Sequence, residues 1–390
     1  MKTDMGNHRW VKENLDLGTD PVPLESCYSD AHYQLEREAI FKRCWLIVGR
    51  VEEITKPGEF FVKDLPVADT SVLVVRGMDG QVRAFHNMCS HRANKVVWDE
   101  RGTCKRYFTC PFHNWTYDTT GALRFVTDEV NFFNLKKEEL GLTPVACDVW
   151  EGFIFVNLDP RPRESLLEYM GGVADQLKGY PFDQMQETYG YSVDERVNWK
   201  VLLDAQNEVY HLPYLHKTTF PDFFADNDHR CVRNLAFRRF GRHCVYSTER
   251  SDKHKVIRAE EFALKADPMS FVAASTMIGA FDFYTIFPNS VIGFLGGTFL
   301  HYRLWPMGPE QTVWEIRLYT RKPKNAGEVL AQEFLKAGLR DTLHEDAGSH
   351  ERTQSVLKSG AKKHMILQDE EVQIRFFHKM VDDHVRAAAG

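Results

Sequence analysis

The sequence contains no apolar run long enough to span a membrane as a helix, so a membrane protein is not expected. Residues 1–20 are polar and carry mixed charge, without the apolar core of a signal peptide, which makes the cytoplasm the expected location. Positive charge is not in excess, because 55 Asp and Glu outnumber 49 Lys and Arg and the formal net charge is −6. Since nucleic-acid binding depends on clustered Lys and Arg, we expect neither nucleic acid nor a membrane as a partner.

Three cofactor signatures are missing as well. No Gly-x-Gly-x-x-Gly follows a predicted strand, and neither a flavin signature nor the cysteine run of plant-type ferredoxins is present. Any electrons that this chain uses must therefore come from a separate protein. Its 390 residues, of which 43% are hydrophobic and 27% charged, are typical of a globular protein with two or three domains.

Four potential metal ligands stand in two mixed pairs, Cys89 with His91 in Cys-x-His and Cys110 with His113 in Cys-x2-His. Each pair can lie on one loop and offer one thiolate and one imidazole. A Rieske [2Fe–2S] cluster holds one iron with two cysteines and the other with two histidines, so the mixed pairs predict this cluster. A structural zinc site is the alternative, but zinc motifs usually pair like with like.

A second group of polar residues follows Asn198. Residues 199–211 are predicted to form a helix, on which Asp204, Glu208 and His211 recur at spacings of four and three and share one face. Proline disfavours helical geometry in the residue before it, so the helix should end just before Pro213. The next histidine along the chain would then lie on a loop.

That histidine is His216, and with His211 it supplies two imidazoles. Two histidines and one carboxylate with open positions form the facial triad of non-haem iron oxygenases, whereas buried core histidines are the alternative interpretation. The residues alone leave the carboxylate open. Four acidic side chains near a predicted helix start at Leu343 are candidates: Asp341, Glu345, Asp346 and Glu351.

Together these motifs resemble the large (alpha) subunit of the Rieske non-haem iron ring-hydroxylating oxygenases, over nearly the whole chain from about Tyr28. The resemblance implies an α+β protein in which an all-β Rieske [2Fe–2S] domain precedes a helix-grip (START-like) catalytic domain of antiparallel sheet and helices. It also implies a [2Fe–2S] cluster and a mononuclear Fe(II) as cofactors. Among the open carboxylates it selects Asp346 as the iron ligand beside His211 and His216, and it makes Glu208 the electron-transfer bridge between subunits.

Three segments are predicted from changes in composition and in the spacing of apolar residues along the chain. Residues 1–45 form an N-terminal segment with a helix that packs on the catalytic domain. Residues 46–158, rich in short apolar runs and Gly-containing turns, form the Rieske domain. A proline-rich turn near residue 159 then separates this domain from residues 159–390, the catalytic domain with the mononuclear iron.

The resemblance implies a terminal oxygenase component that uses O2 and electrons from NAD(P)H, delivered by a separate reductase, a ferredoxin or both. The expected reaction is mono- or cis-dihydroxylation of an aromatic or other apolar small molecule, as in aromatic hydrocarbon catabolism. Oxidative N- or O-dealkylation is the alternative, and a Rieske electron-transfer protein without oxygenase activity is a further one. Family members form head-to-tail homotrimers, some with an added beta subunit.

Three local features set further expectations. Ala93 and Asn114 stand where the family commonly has glycine, and Glu208 stands where several members have aspartate. A basic excess near the cluster motif could be an ordinary solvated surface or a docking surface for an acidic electron donor; it comprises Arg83, Arg92, Lys95, Lys105 and Arg106. Apolar residues available for the cavity wall are Leu215, Phe220, Met277, Phe281, Phe283, Ile292, Phe294 and Leu300.

Overall fold

The computed structural model describes residues 8–219, 231–248, 281–295 and 298–389. Contacts divide the chain into two compact units: Arg37–Tyr169, called the small unit, and Met1–Glu36 with Met170–Gly390, called the large unit. The domain limits inferred from the sequence, near residues 46 and 159, stay a prediction. Across the described ranges, each helix is too short or too polar to cross a bilayer.

The helices and strands alternate with many short turns. The α-helices are α1 Arg9–Glu13, α2 Asp30–Glu36, α3 Leu166–Met170, α4 Gly172–Gln176, α5 Trp199–Gln206, α6 Leu212–Leu215, α7 Ala326–Leu357 and α8 Val372–Ala389. The strands are β1 Val22–Pro23, β2 Leu46–Arg50, β3 Glu59–Leu65, β4 Thr70–Arg76, β5 Val82–His86, β6 Arg101–Thr103, β7 Tyr107–Thr109, β8 Thr116–Asp118, β9 Leu123–Phe125, β10 Pro144–Trp150, β11 Phe153–Asn157, β12 Met185–Glu195, β13 Ala236–Phe240, β14 His243–Thr248, β15 Phe281–Ile286, β16 Ser290–Leu295, β17 Thr298–Gly308, β18 Gln311–Arg321 and β19 His364–Met365.

The small unit is built from two antiparallel sheets. Seven strands pair in the order β2-β11-β10-β5-β4-β3-β6, and β7, β8 and β9 form a separate three-stranded sheet. Short apolar strands separated by tight turns favour this architecture, because each hairpin buries one apolar face against the other sheet. The core between the sheets includes both motif cysteines, with Trp115 and Tyr117 beside them.

The large unit centres on one antiparallel sheet of seven strands in the order β12-β18-β17-β16-β15-β14-β13. Its long central strand β17 is buried at every position from Thr298 to Pro306, so both faces of the sheet are covered. Helix α5 packs against α7 and β17 and brings the polar segment after Asn198 close to this sheet. The predicted α+β architecture, with antiparallel sheets and helices, is confirmed.

The predicted helix over residues 199–211 is wrong in its length. Helix α5 ends at Gln206, and the side chain of the next residue, Asn207, is buried and accepts a hydrogen bond from the Thr285 hydroxyl at 2.6 Å. A new helix, α6, then begins at Leu212 with Pro213 in its first turn, where the missing N–H costs no hydrogen bond. The proline therefore begins a helix instead of ending one.

Buried ion pairs fix α5 in place. Lys200 Nζ lies 2.5 Å from Glu36 Oε1, and Trp199 Nε1 donates to the same carboxylate at 2.8 Å. At the other end of the helix, Asp204 contacts His378 Nε2 of α8 at 2.9 Å. Asp204 thus binds a core histidine, and the predicted helical face shared with Glu208 and His211 does not exist.

Candidate functional site

The two Cys-His loops of the small unit share one backbone design. The amide of Cys89 donates to the carbonyl of Asn94 at 2.8 Å, and the amide of Ala93 donates back to Cys89 at 2.9 Å. The second loop repeats this pattern one for one, with hydrogen bonds from Cys110 to Trp115 and from Asn114 to Cys110, both at 2.9 Å. Each loop therefore holds its cysteine at the base of a closed turn.

Closing these turns requires left-handed backbone at the fifth residue of each. Ala93 has a φ of 60° and Asn114 a φ of 58°. Asparagine tolerates this region, whereas alanine pays about 1–2 kcal/mol because its Cβ approaches the following carbonyl. The glycine common in the family at both positions now has a physical reason.

We expect Ala93→Gly to raise the free energy of unfolding by about 0.5–1 kcal/mol. Relief of the left-handed strain outweighs the larger entropy that glycine gives the unfolded chain. Chemical denaturation of the purified chain measures the change. Ala174→Gly in α4, where φ is not positive, is the control and should lower stability by about 1 kcal/mol; an equal loss in both variants would contradict the interpretation.

The four side chains of the motif form one group. Cys89 and Cys110 are 3% and 1% exposed, whereas His91 and His113 are partly exposed, with ring centroids 4.6 Å apart. The ring of His91 stacks on Trp115 at 5.0 Å, and its Nδ1 is buried without a hydrogen-bond partner among the described residues. Burial lowers the pKa of His91, which favours the neutral imidazole that a metal requires. Burial also raises the pKa of Cys89, so its thiolate needs positive charge nearby, which the irons of a cluster would supply.

This group fits a binuclear cluster better than one zinc ion. Ligand atoms around tetrahedral zinc lie within about 4 Å of one another, because each is 2.0–2.3 Å from the metal. In the part of the chain that the structure describes, the one set of three or more ligand atoms within 4.8 Å is elsewhere, at His211, His216 and Asp346. The two cysteines are buried and the two histidines are partly exposed, and their ligand atoms do not converge within 4.8 Å. This arrangement matches the ligands of a Rieske cluster.

In the large unit, His211, His216 and Asp346 converge. His211 is the residue before α6, His216 is the residue after it, and Asp346 faces them from the middle of α7. Asp346 Oδ1 lies 3.1 Å from His216 Nε2 and 3.6 Å from His211 Nε2. His216 Nε2 and Asp346 Oδ1 have no hydrogen-bond partner by geometry, so both atoms are available to one ion.

Carboxylates orient both imidazoles. His211 Nδ1 bonds Glu208 Oε1, and His216 Nδ1 bonds Glu345 Oε2 at 2.8 Å. Ligating histidines usually donate their second N–H to a carboxylate, which turns the other nitrogen toward the metal. Glu345 also accepts from Thr219 Oγ1 at 2.7 Å, which fixes the carboxylate.

The electrostatics of this group suit a cation. Burial would raise the pKa of Asp346, but the interactions with the adjacent His216 and His211 lower it overall. Burial would lower the pKa of His211, and the charge and hydrogen bond of Glu208 raise it instead. The negative charges of Asp346 and Glu208 therefore favour a positive charge between the imidazoles, which a divalent iron would provide.

A cavity of about 160 Å³ adjoins the three converging residues. Its wall carries four aromatic side chains from the sheet, and the rings of Tyr246 and Phe283 stack at 5.3 Å. Gly293 makes room for Phe283, because a Cβ there would lie 2.7 Å from the ring. Helix α7 supplies the facing apolar side chains Leu335, Leu339 and Leu343.

The predicted cavity residues are partly correct. Phe281, Phe283 and Leu300 line the cavity, but Ile292, Phe294 and Leu215 do not. Side chains alternate along a strand, so Ile292 and Phe294 lie on the face of β16 opposite to that of Gly293, and Phe294 packs on Tyr180. Phe220 and Met277 lie outside the described residues.

Other predicted residues also have definite positions. Asp341 bonds Arg340 and Glu351 bonds Arg196, so neither of these candidate carboxylates reaches the histidines. Sequence reasoning missed the contact of Glu345 with His216, although the rule that ligating histidines bond a carboxylate could have suggested it. In the small unit, Arg83 and Lys95 pair with acidic residues, which leaves Arg92, Lys105 and Arg106 as the cations of the basic excess without an acidic partner in the described ranges.

The comparisons with known proteins agree with this geometry. The model of the Rieske [2Fe-2S] domain matches residues 44–136, and that of the ring hydroxylating alpha subunit (catalytic domain) matches residues 182–387. Choline monooxygenase, chloroplastic, from Spinacia oleracea is 32% identical over 225 residues, which cover 56% of this chain and 50% of that protein. The chain thus spans about half the length of this curated relative.

Solved structures share the fold. The quaternary ammonium Rieske monooxygenase CntA in complex with an inhibitor superimposes with a TM-score of 0.78 at 20% identity, covering 95% of this chain and 98% of that one. Naphthalene 1,2-dioxygenase from Rhodococcus sp. gives a TM-score of 0.76 at 21% identity, covering 98% of each chain. With a catalytic-domain match over more than half of its length, this chain belongs to the ring hydroxylating alpha subunits, and its domains are those of a Rieske cluster and a mononuclear iron.

Proposed function

We propose that the chain is the terminal oxygenase component of a multicomponent oxygenase that oxidises a small alkylammonium compound. In this proposal the iron is bound by His211, His216 and Asp346. The [2Fe–2S] cluster is bound by Cys89, His91, Cys110 and His113. The observation that carries the proposal is the convergence of two imidazoles and a buried carboxylate at an apolar cavity.

The bound metals would supply electron transfer and the activation of O2, and the residues of the chain hold and orient their ligands. Glu208 and Glu345 hold the Nδ1 protons of the two histidines, so that both Nε2 atoms remain unprotonated toward the iron. Gln206 donates to Asp346 Oδ2 at 3.4 Å and orients the other carboxylate oxygen toward the histidines.

The cavity wall supports a cationic substrate. Aromatic faces attract alkylammonium ions through their quadrupoles, and Tyr246, Phe281, Phe283 and Tyr302 present four such rings. The described lining residues include the acidic Glu208 and Asp346 and neither Lys nor Arg. Choline monooxygenase and the quaternary ammonium monooxygenase CntA, which resemble this chain, are named for substrates of that class.

The proposed reaction is hydroxylation of a carbon attached to the ammonium nitrogen. One oxygen atom of O2 enters the C–H bond, and the other leaves as water after taking up two electrons and two protons. The resulting carbinol can expel the amine as its carbon becomes an aldehyde, so N-dealkylation follows without a second enzyme. The wall that would surround the reacting carbon is largely apolar.

Hydroxylation of an aromatic or other apolar molecule is the second candidate. It is favoured by the apolar character of the wall, where the three leucines of α7 face the aromatic rings. Supplying the purified chain with NADH and a generic reductase tests both candidates. We expect oxidation of choline or another quaternary ammonium compound coupled to NADH consumption; coupled product from naphthalene alone would favour the second candidate.

The electron donor is proposed to be a separate reductase or ferredoxin. Arg92, Lys105 and Arg106 are available for an acidic partner because the structure pairs none of them with a carboxylate in the described ranges. A homotrimer is also proposed, in which Glu208 would link His211 to a cluster histidine of a second copy. A beta subunit is not needed for that arrangement.

We expect Tyr117→Phe to lower the reduction potential of the cluster by about 40 mV. Ser90 N–H donates to the Tyr117 oxygen at 3.0 Å, so the hydroxyl proton is directed at Cys89 Sγ, 3.2 Å away. Hydrogen bonds to sulfur stabilise the electron-rich reduced cluster, and a loss of about 1 kcal/mol corresponds to this shift in a one-electron couple.

Spectroelectrochemical titration of the purified protein measures that potential. Tyr107→Phe, which changes an exposed tyrosine on the neighbouring strand β7, is the matched control and should leave the potential unchanged. An unchanged potential in Tyr117→Phe would show that the hydroxyl does not donate to the cluster ligand.

A further inference from the structure

Thr248, the last residue of β14, has a buried hydroxyl that no interaction of the described residues explains. The residue lines the cavity, is 2% exposed, and its Oγ1 has no hydrogen-bond partner. A buried hydroxyl without a partner destabilises a folded protein, and valine would fill the same volume without that cost. If this residue served only to pack the cavity wall, valine would therefore give a more stable folded protein than threonine.

The sheet register places Thr248 on the face that carries the cavity aromatics. Tyr246 is two residues earlier on the same strand, so the two side chains share one face. On β15, Phe281 pairs with Thr248 and Phe283 pairs with Tyr246. These four side chains form one patch, all of whose members line the cavity.

Two other hydroxyls of the cavity wall, those of Tyr246 and Thr342, are committed to the backbone. Tyr246 donates to the carbonyl of Gln206 at 2.8 Å, and Thr342 of α7 donates to the carbonyl of Gly338 at 2.8 Å. These two groups cannot donate to a ligand without losing a hydrogen bond within the chain. Thr248 can do so without any such loss.

Thr248 and Tyr302 lie at opposite corners of this face of the sheet. In the register, Tyr302 of β17 pairs with Val291, which in turn pairs with Thr285 of β15. Thr285 is opposite Cys244, so Thr248 is three strands and four residues away from Tyr302, at the diagonal corner of the wall.

We propose that the Thr248 hydroxyl binds a hydroxyl or carboxylate group of the substrate. It thereby selects alkylammonium compounds that carry such a polar group over equally large compounds that do not. This inference rests on the proposed function, since it names the part of an alkylammonium substrate that the cavity recognises.

Two probes of nearly identical shape test the proposal. Choline carries a terminal hydroxyl, and n-propyltrimethylammonium carries a methyl group in its place. Calorimetric titration of the protein with both metals bound should give about tenfold tighter binding of choline, since a buried polar group left without a partner costs about one to two factors of ten. In Thr248→Val the ratio of the two dissociation constants should fall to about one. In Thr248→Ser the preference for choline should persist.

Thr342→Val is the matched control, because it makes the same change in the same cavity at a hydroxyl already bonded to the backbone. It should keep the preference for choline. Equal binding of both probes by the unmodified protein, or an unchanged preference in Thr248→Val, would overturn the role of Thr248 and leave the proposed function standing. Failure of both probes to bind, with naphthalene binding instead, would overturn the proposed substrate class and this inference with it.

Discussion

Glu208→Gln is expected to keep both metals bound while product formation per electron falls by about 10–100-fold. The carboxylate bonds His211 Nδ1 and also accepts the amide of His211 at 3.1 Å, and its side chain is 11% exposed. In the proposed trimer this partly exposed carboxylate would also meet a cluster histidine of a second copy. Glutamine preserves the shape but removes the charge, and loss of such outer partners costs this order of magnitude.

Rapid mixing of the reduced protein with O2 and choline measures cluster oxidation and product together. Glu345→Gln is the matched control, because Glu345 bonds the other histidine, His216, and is not assigned a role between subunits. We expect Glu345→Gln, in which the amide oxygen can still accept from His216 Nδ1, to keep the iron and to stay coupled. Normal product per electron in Glu208→Gln would contradict the bridging role.

Asp346→Asn is expected to remove the mononuclear iron and to lower product formation by more than about 10³-fold. Metal ions contribute several kcal/mol to transition-state stabilisation, and each 1.36 kcal/mol is a factor of ten in rate. The neutral amide leaves His211 and His216 without the negative ligand that faces them at 3.6 and 3.1 Å. The cluster, bound by other residues in the small unit, should keep its visible spectrum.

Iron content per chain, measured by mass spectrometry, should fall from three to two, because the cluster holds two irons and the triad holds one. Asp341→Asn provides the same change on the same helix, α7, at an exposed residue paired with Arg340. It should retain full iron content and activity. Three irons per chain in Asp346→Asn would mean that another residue supplies the carboxylate.

The sequence predicted the parts of the site that depend on short spacing. Cys89 with His91, and Cys110 with His113, are close in the chain, so one loop brings each pair together irrespective of the rest of the fold. The structure adds the left-handed residue that closes each loop. In the first loop this residue is Ala93, and alanine in a sequence does not indicate a left-handed backbone. Only the family's preference for glycine hinted at it.

Long-range contacts explain what the sequence did not predict. Periodicity predicted a helix over residues 199–211, but α5 ends at Gln206, and Thr285 of the sheet donates a hydrogen bond to the side chain of the next residue, Asn207. The Glu208 side chain bonds the imidazole of His211, three residues later in the chain. Four acidic residues near α7 were equivalent in the sequence, and only the packing of α7 on the sheet brings Asp346 to the histidines.

The cavity wall depends on strand register, and for that reason composition could not define it. Phe281, Phe283 and Phe294 are equally apolar in the sequence, yet only the first two face the cavity. An alternating pattern on β14 would have placed Tyr246 and Thr248 together, but it could not say which face meets the histidines. The pairing of β14 with β15 decides that question.

A single-turnover reaction under ¹⁸O2 tests the proposed oxygenase most directly. The protein is loaded with both metals, reduced chemically, freed of reductant and mixed with choline or another quaternary ammonium compound. Mass spectrometry should then find ¹⁸O in the hydroxylated product or its aldehyde, with up to one product per chain, and none with Asp346→Asn. Oxidation of the cluster without labelled product from any compound tested would contradict the proposal and would leave an electron-transfer protein.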